Sequence, residues 1–307
     1  MARSEELFDR GLLAQRRRRA LDRPRKGADF LMQVAVEDTI DRIAAVQRSF
    51  PVAIDLGGHS GALDRLLRET GRVDRVVRAD SLVAGAGGRP DLVVDEEALP
   101  FAPASADLVV SLLQAHAVTD LPGFFAQVVR VLVPDGLFLA AFCGGETLIE
   151  LRSALTAAEA EISGGASPRV HPLVDLRDAA ALLQRVGFAI PVADVDRYTV
   201  RYGALADLVA DLRAMGATNV LRGRDRRPLP RRVLRRAEEI YRERFADPDG
   251  RLRATFDLVA LSGWRPHESQ QKPLKPGSAS VRLADALGTT ERTAGEKAPG
   301  SGEPPKR

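Results

Sequence analysis

The sequence predicts an α/β fold: a mostly parallel, doubly wound sheet with a helical cap inserted in the second half. Three observations carry this. Apolar runs without polar alternation, such as Asp107-Leu-Val-Val-Ser-Leu-Leu113, recur along the first half, as expected of parallel strands covered on both faces. Segments of helical periodicity separate these runs, so strand and helix alternate as in βαβ units. A glycine-rich turn, Leu56-Gly-Gly-His-Ser-Gly61, joins the first run to an amphipathic stretch.

Taken in order, residues 1–27 read as an arm whose apolar anchors are Leu7, Phe8, Leu12 and Leu13. Residues 29–48 read as a helix, with Leu31, Val34, Ile40, Ile43 and Val46 near helical spacing. Strands are predicted at 52–56, 76–80, 91–95, 107–113 and 137–142. Helices fall at 62–69 and 121–132, and Pro134-Asp-Gly136 reads as a turn. The second half predicts helices at 146–162, 176–186, 204–215 and 230–245. Residues 188–202 read as extended and 252–261 as a last strand, so that the sheet closes on an antiparallel pair. After His267 the composition turns to Pro, Gly, Ser and Thr, and every lysine but Lys26 lies there. Such a segment buries too little surface to order itself. The division is thus an arm and helix (1–49), a nucleotide-binding core (50–145), a cap with closing strands (146–267) and a disordered tail (268–307).

Composition narrows the function. Hydrophobic residues make up 45% and aromatics 5% of the 307 residues, so the core is built from Ala, Val and Leu. No run of about eighteen apolar residues provides a membrane span. The charged N-terminus argues against a signal peptide, and Glu5, Glu6, Asp9 and Asp22 argue against a transit peptide. The lone Cys143 excludes an internal disulfide and a cysteine metal cluster, and its apolar surroundings read as a buried strand thiol. Net charge is +3, with arginine blocks at 16–25 and 222–236. No aromatics interleave them, so nucleic acid is not the expected partner, and association with a membrane face stays open.

The candidate site starts at the glycine turn. Asp55, Gly57, Gly58 and Gly61 stand at the end of the first strand, where glycines let backbone approach a ligand. Asp80 ends the second strand, where a carboxylate can accept ribose hydroxyls or cap the next turn. Asp95 and Glu96 follow the third, in place to accept from a purine amino group. His116, just past the fourth strand, lies at the carboxyl edge where open α/β sheets bind ligands. It reads as a base, a metal ligand, a substrate contact or a structural hydrogen-bonding residue. No His-x-Asp spacing supplies a local iron triad, and the metal is left unknown.

A strand running through Asp55-x-Gly57-x-x-x-Gly61 into a helix, with Asp80 at the next strand end, resembles the S-adenosylmethionine site of the Rossmann-like class I methyltransferase fold. Longer segments resemble one group within it, the complex I assembly factor 5 family. These are Phe8-Asp-Arg10, Phe50-Pro-Val-Ala-Ile-Asp-Leu-Gly57, Asp95-Glu-Glu-Ala-Leu-Pro-Phe101, His116-Ala-Val-Thr-Asp-Leu-Pro122, Gly144-Gly-Glu-Thr-Leu148 and Gly263-Trp-Arg-Pro-His267. Two positions depart from the family pattern. His59 stands where the turn usually carries glycine, and Ala117 replaces a tryptophan after the histidine.

The resemblance implies a methyltransferase-like protein-arginine hydroxylase acting on the iron–sulfur subunit of respiratory complex I during assembly. It implies S-adenosylmethionine as cofactor and a location in the bacterial cytoplasm, at the inner membrane face, or in the mitochondrial matrix of a eukaryote. Glu146, Glu150 and Asp211 are the carboxylates expected to pair with a substrate guanidinium, with surface salt bridging as their alternative role. Two other functions remain: an S-adenosylmethionine-dependent methyltransferase of a small molecule or protein, and a non-catalytic assembly chaperone. Oligomeric state is not readable.

Overall fold

A computed structural model describes residues 6–83, 88–270 and 281–289. Two units are distinguished, one ending at Glu268 and one beginning at Ser269. The first holds a seven-stranded sheet in the order β3-β2-β1-β4-β5-β7-β6. Its strands are β1 (Phe50–Leu56), β2 (Val73–Asp80), β3 (Leu92–Val93), β4 (Ala106–Leu112), β5 (Leu132–Gly144), β6 (Ala189–Tyr202) and β7 (Leu252–Trp264). The β3, β2, β1, β4 and β5 neighbours are parallel. β7 runs antiparallel to both β5 and β6, so the predicted α/β sheet closes on an antiparallel pair. β1 has β2 on one side and β4 on the other, which makes the β1/β4 edge the topological switch point.

The helices are α1 (Arg10–Asp22), α2 (Phe30–Ala45), α3 (Ala62–Glu69), α4 (Leu121–Val131), α5 (Ile149–Ser163), α6 (Leu176–Arg185), α7 (Leu205–Ala214) and α8 (Arg231–Phe245). Local chemistry starts several of them. The Asp120 side chain accepts from Gly123 N to cap α4, and Asp175 accepts from Asp178 N to cap α6. α2 buries Leu31, Ala35, Val36, Thr39 and Ile43 along one face. With α3 it covers one side of the sheet, while α4 and α6 cover the other. A further core joins α5, α7 and α8 to β6 and β7, with Tyr241, Ile240 and Phe256 at its centre. The exposed edge of β6 is held by Arg42, which donates to both carboxylate oxygens of Asp194 at 2.8 and 2.6 Å.

The structure differs from the sequence expectation at four places. Residues 10–22, read as arm, form α1, whose N-terminus is capped by the Asp9 side chain accepting from Leu12 N. Phe8 is buried against Val220 and Leu221 and anchors that helix to the cap. β3 is shorter than expected, because the Asp95 side chain accepts from Glu97 N and turns the chain. The Pro134-Asp-Gly136 turn is a bulge inside β5, with Asp135 at φ 65°. α5 starts at Ile149 rather than at residue 146, because Gly145 and Leu148 are left-handed at φ 54° and 56°.

The second unit contains the one-turn helix α9 (Leu283–Ala286). The expected disorder of the tail falls largely on residues outside those described.

Candidate functional site

β1 delivers Asp55 to the carboxyl edge and then turns. Gly57, at φ 91°, donates its N–H to Ala79 O of β2 at 2.8 Å. One 3-10 turn (Gly58–Ser60) and a second left-handed glycine, Gly61, lead into α3. Both early glycines are required by close approach. A Cβ on Gly57 would lie 2.4 Å from the Gln114 side chain, and one on Gly58 would lie 2.6 Å from Asp55 Oδ2. Arg78 Nε and Nη2 donate to Gly58 O at 3.2 and 3.0 Å, tying the turn to β2. The side chain of His59 lies outside what is described.

Three buried polar atoms around this turn have no hydrogen-bond partner: Asp55 Oδ2, Ser111 Oγ and Gln114 Nε2. Buried polar groups are normally paired, so an unpaired cluster marks a place where a ligand or water completes the site. Burial pushes the Asp55 carboxyl up to about 7; Arg78 opposes this, and Asp64 and Asp80 add to it. The glycine cradle and these atoms fit a nucleoside-bearing cofactor that extends from the β2 end of the sheet toward the β1/β4 edge.

Asp80, buried at the end of β2, accepts from Leu82 N at 2.7 Å. Asp95 and Glu96 follow β3 as expected, but α1 reaches them. Arg10 Nη2 lies 2.5 Å from Asp95 Oδ1 and 3.1 Å from Glu96 Oε2, and Arg10 Nη1 lies 3.6 Å from Glu97 Oε2. Glu97 Oε1 in turn accepts from Thr119 N, in the loop after β4. The acidic loop therefore links the N-terminal helix to the loop beyond β4 at the carboxyl edge of the sheet.

His116 sits in a single 3-10 turn (Ala115–Ala117) beyond β4. Its Nδ1 is buried without a partner. Burial, helped by Arg17 and His171, lowers its pKa to about 3. The ring is thus neutral at ordinary pH and suits a hydrogen-bonding contact better than a proton acceptor matched to neutrality. Cys143, also at this edge, is half-buried; desolvation pushes its thiol up to about 12, which disfavours the nucleophilic thiolate.

His116 and Cys143 line a cavity of about 940 Å³ between the carboxyl ends of β4 and β5 and the cap. Leu148 and Leu151 of the cap, Phe256 of β7 and Leu13 and Arg17 of α1 form further walls. Ser60 and Ala62 bring the glycine turn to its border.

The three carboxylates expected to meet a guanidinium are not brought together, and none lines this cavity. Glu146 is exposed and lies 2.7 Å from Arg197 Nη2. Glu150 is buried, with Oε1 accepting from Thr255 Oγ1 at 2.5 Å and Oε2 from Thr255 N at 3.1 Å. Asp211 lies 3.2 Å from Arg25, itself a cavity-lining residue. Among the described residues no group of three or more His, Cys, Asp or Glu side chains could hold a metal ion.

Sequence reasoning missed Arg10, Arg17, Ser111 and Gln114. The signal for the first two was an aspartate cap at Asp9 before Leu12, Leu13, Ala20 and Leu21, partly masked by the run of arginines. Ser111 and Gln114 had no local signal.

Comparison with known proteins agrees with this architecture. A family profile described as a methyltransferase domain matches residues 54–140. The mitochondrial arginine-hydroxylase NDUFAF5 of Danio rerio is 38% identical over 265 residues, covering 84% of this chain and 82% of that protein. Its Homo sapiens counterpart is 35% identical over 290 residues, covering 92% and 84%. A malonyl-acyl-carrier-protein O-methyltransferase of Methylovorus sp. (strain MP688) is 32% identical over 268 residues, covering 81% and 88%. Among solved structures, a methyltransferase-fold protein of Bacillus halodurans C-125 superposes with a TM-score of 0.52 at 15% identity. That match covers 75% of this chain and 98% of that one, a likeness of fold alone.

Proposed function

The chain belongs to the family of the NDUFAF5 arginine-hydroxylases, and from that premise we propose that it hydroxylates an arginine side chain of a protein substrate, the iron–sulfur subunit of respiratory complex I, during assembly. The observation that carries this reading is identity of 35–38% over more than four fifths of those relatives' length. The reaction replaces one C–H of the side chain by C–OH. One atom of dioxygen enters the product and the other leaves as water, with two electrons and two protons from an external donor.

The cavity beyond β4 and β5 is the proposed substrate chamber. An arginine reaching in from a protein surface would pass Asp211, which can exchange its partner Arg25 for the incoming guanidinium. His116, neutral, offers a hydrogen bond at the inner end. The proposed cofactor is S-adenosylmethionine or its demethylated product, with Asp80 on the ribose, Asp95 and Glu96 toward the adenine and Gly57–Gly61 beneath. The protein is proposed to act on the cytoplasmic side of a bacterial membrane or, in a eukaryote, in the mitochondrial matrix.

Mass spectrometry of the iron–sulfur subunit from wild-type and deletion strains tests this. The target arginine should lack one oxygen atom in the deletion strain. The similarity to a malonyl-acyl-carrier-protein O-methyltransferase over 88% of its length favours a second reading, methyl transfer. A methyl group on that arginine in the wild type, lost on deletion, decides for it. The same unmodified arginine in both strains leaves the chaperone role.

A further inference from the structure

A nucleoside held by Asp80, Asp95 and Glu96 lies over the β2 and β3 end of the sheet. The strand order then sets the course of whatever is attached to its ribose. The next strands are β1 and β4, so the chain beyond the ribose runs over the Gly57–Gly61 turn toward the loop at Leu113 and His116. Ser60, Ala62, Leu113 and His116 border the cavity at that point. The amino-acid end of an S-adenosyl cofactor ends in a carboxylate, and a carboxylate entering an apolar cavity needs a cation or several donors.

One cavity-lining cation has a side chain without a partner among the described residues. Arg17 lines the cavity and, among the described residues, its guanidinium makes no hydrogen bond and no ion pair. It shares that lining with His116, and its charge is felt at His116 and by Glu96 and Asp80. The other cavity-lining cations differ. Arg25 pairs with Asp211, Arg169 pairs with Glu159 at 2.5 Å, and Lys26 is exposed at the mouth.

The position of Arg17 is built rather than incidental. α1 is held at its start by Asp9 N donating to Val220 O, by Leu7 O accepting from Arg222 N, and by Phe8 packed on His171 with centroids 5.2 Å apart. Midway, Gly216 at φ 70° lets the backbone of Arg17 approach. A Cβ there would sit 3.1 Å from Arg17 Cα. Arg10 then locks the same helix to the acidic loop after β3. A guanidinium projecting from an element fixed at three points is pre-organised to bind.

We infer that Arg17 anchors the α-carboxylate of the bound S-adenosyl cofactor, so that α1 completes the cofactor site from beyond the sheet. The inference rests on the cofactor reading proposed above.

Calorimetry on the full chain separates the two. Three ligands are used: S-adenosylhomocysteine, its decarboxylated analogue, and 5′-methylthioadenosine, which lacks the whole amino-acid end. The wild type should bind S-adenosylhomocysteine about 10- to 100-fold more tightly than the decarboxylated analogue, the range for losing a charge-assisted pair. Arg17→Met should remove that preference and leave methylthioadenosine affinity unchanged. Arg17→Lys should restore part of it, keeping the charge without the fork. Equal wild-type affinity for the carboxylated and decarboxylated ligands overturns the inference with no variant needed. So does an Arg17→Met protein that loses all three ligands alike, since Arg17 then acts through the seating of α1. Methylthioadenosine binding in either case leaves the cofactor reading standing; no binding of any ligand by the wild type removes both.

Discussion

Gly145 stands against Asp257 so closely that a Cβ at the glycine would lie 2.7 Å from Asp257 Oδ2. The carboxylate has nowhere to retreat: it accepts from Glu146 N at 2.9 Å and from Arg197 Nε and Nη2 at 2.7 and 2.9 Å. Thr147 Oγ1 completes the clasp, donating to Gly144 O and accepting from Asp257 N. The Gly144-Gly-Glu-Thr segment thus fastens the start of the cap onto β7. Gly145→Ala adds a clash to a left-handed φ of 54°. It should cost about 2–4 kcal/mol of stability, read as a lowered denaturant midpoint. An unchanged midpoint would mean that the clasp yields freely.

The same clasp sets an acid limit. Burial disfavours the Asp257 charge, but Arg197 and the Glu146 N–H hold its carboxyl below the ordinary range. A depressed carboxyl contributes stability that is present above its unfolded pKa and lost as pH falls through the folded one. Arg197→Met should therefore move the acid-unfolding midpoint to higher pH. A midpoint that stays put would assign acid unfolding to other carboxylates.

Asp55 has the opposite sign. Its folded pKa is raised to about 7 from an ordinary 3.8, so the folded state keeps a proton that the unfolded chain releases. That contribution is full below the unfolded value and is lost as pH rises from about 4 to about 7. Asp55→Asn should flatten the melting temperature across this window and stabilise the ligand-free protein on its alkaline side. Parallel curves for wild type and variant would show that Asp55 ionises freely in the fold.

Asp80→Ala should weaken S-adenosylhomocysteine by about tenfold or more, from losing hydrogen bonds to a charged acceptor worth about 1.5–3 kcal/mol. Calorimetry decides it, and equal affinities would place the ribose elsewhere.

Ending the chain at His267 should leave the melting temperature of the body within a few degrees, because the removed residues are rich in Pro, Gly and polar side chains. A large drop would show that the tail contributes to the body.

Most of the sheet was legible because its signals are local. β1 and β4 are largely apolar runs, α3 carries its periodicity within itself, and α4 carries both periodicity and the Asp120 cap. The glycine turn was legible for the same reason: a left-handed residue at Gly57 or Gly61 is a property of one position. Asp55, Asp80, Asp95, Glu96 and His116 could be assigned to the carboxyl edge because strand ends follow from strand runs.

The sequence by itself therefore determined the α/β order, the glycine turn and the row of polar residues along one edge of the sheet. Tertiary structure alone decided which of them meet. Arg10 reaches Glu96 across 86 residues, and the Glu146 N–H reaches Asp257 across 111. It turned an arginine-rich arm into a helix with one guanidinium facing the cavity, and it engaged Glu146, Glu150 and Asp211 elsewhere. The physical reason is that charge and hydrogen-bonding capacity are written in the residue, whereas the partner that satisfies them is chosen by packing. Packing of distant segments has no period or spacing that a single sequence displays.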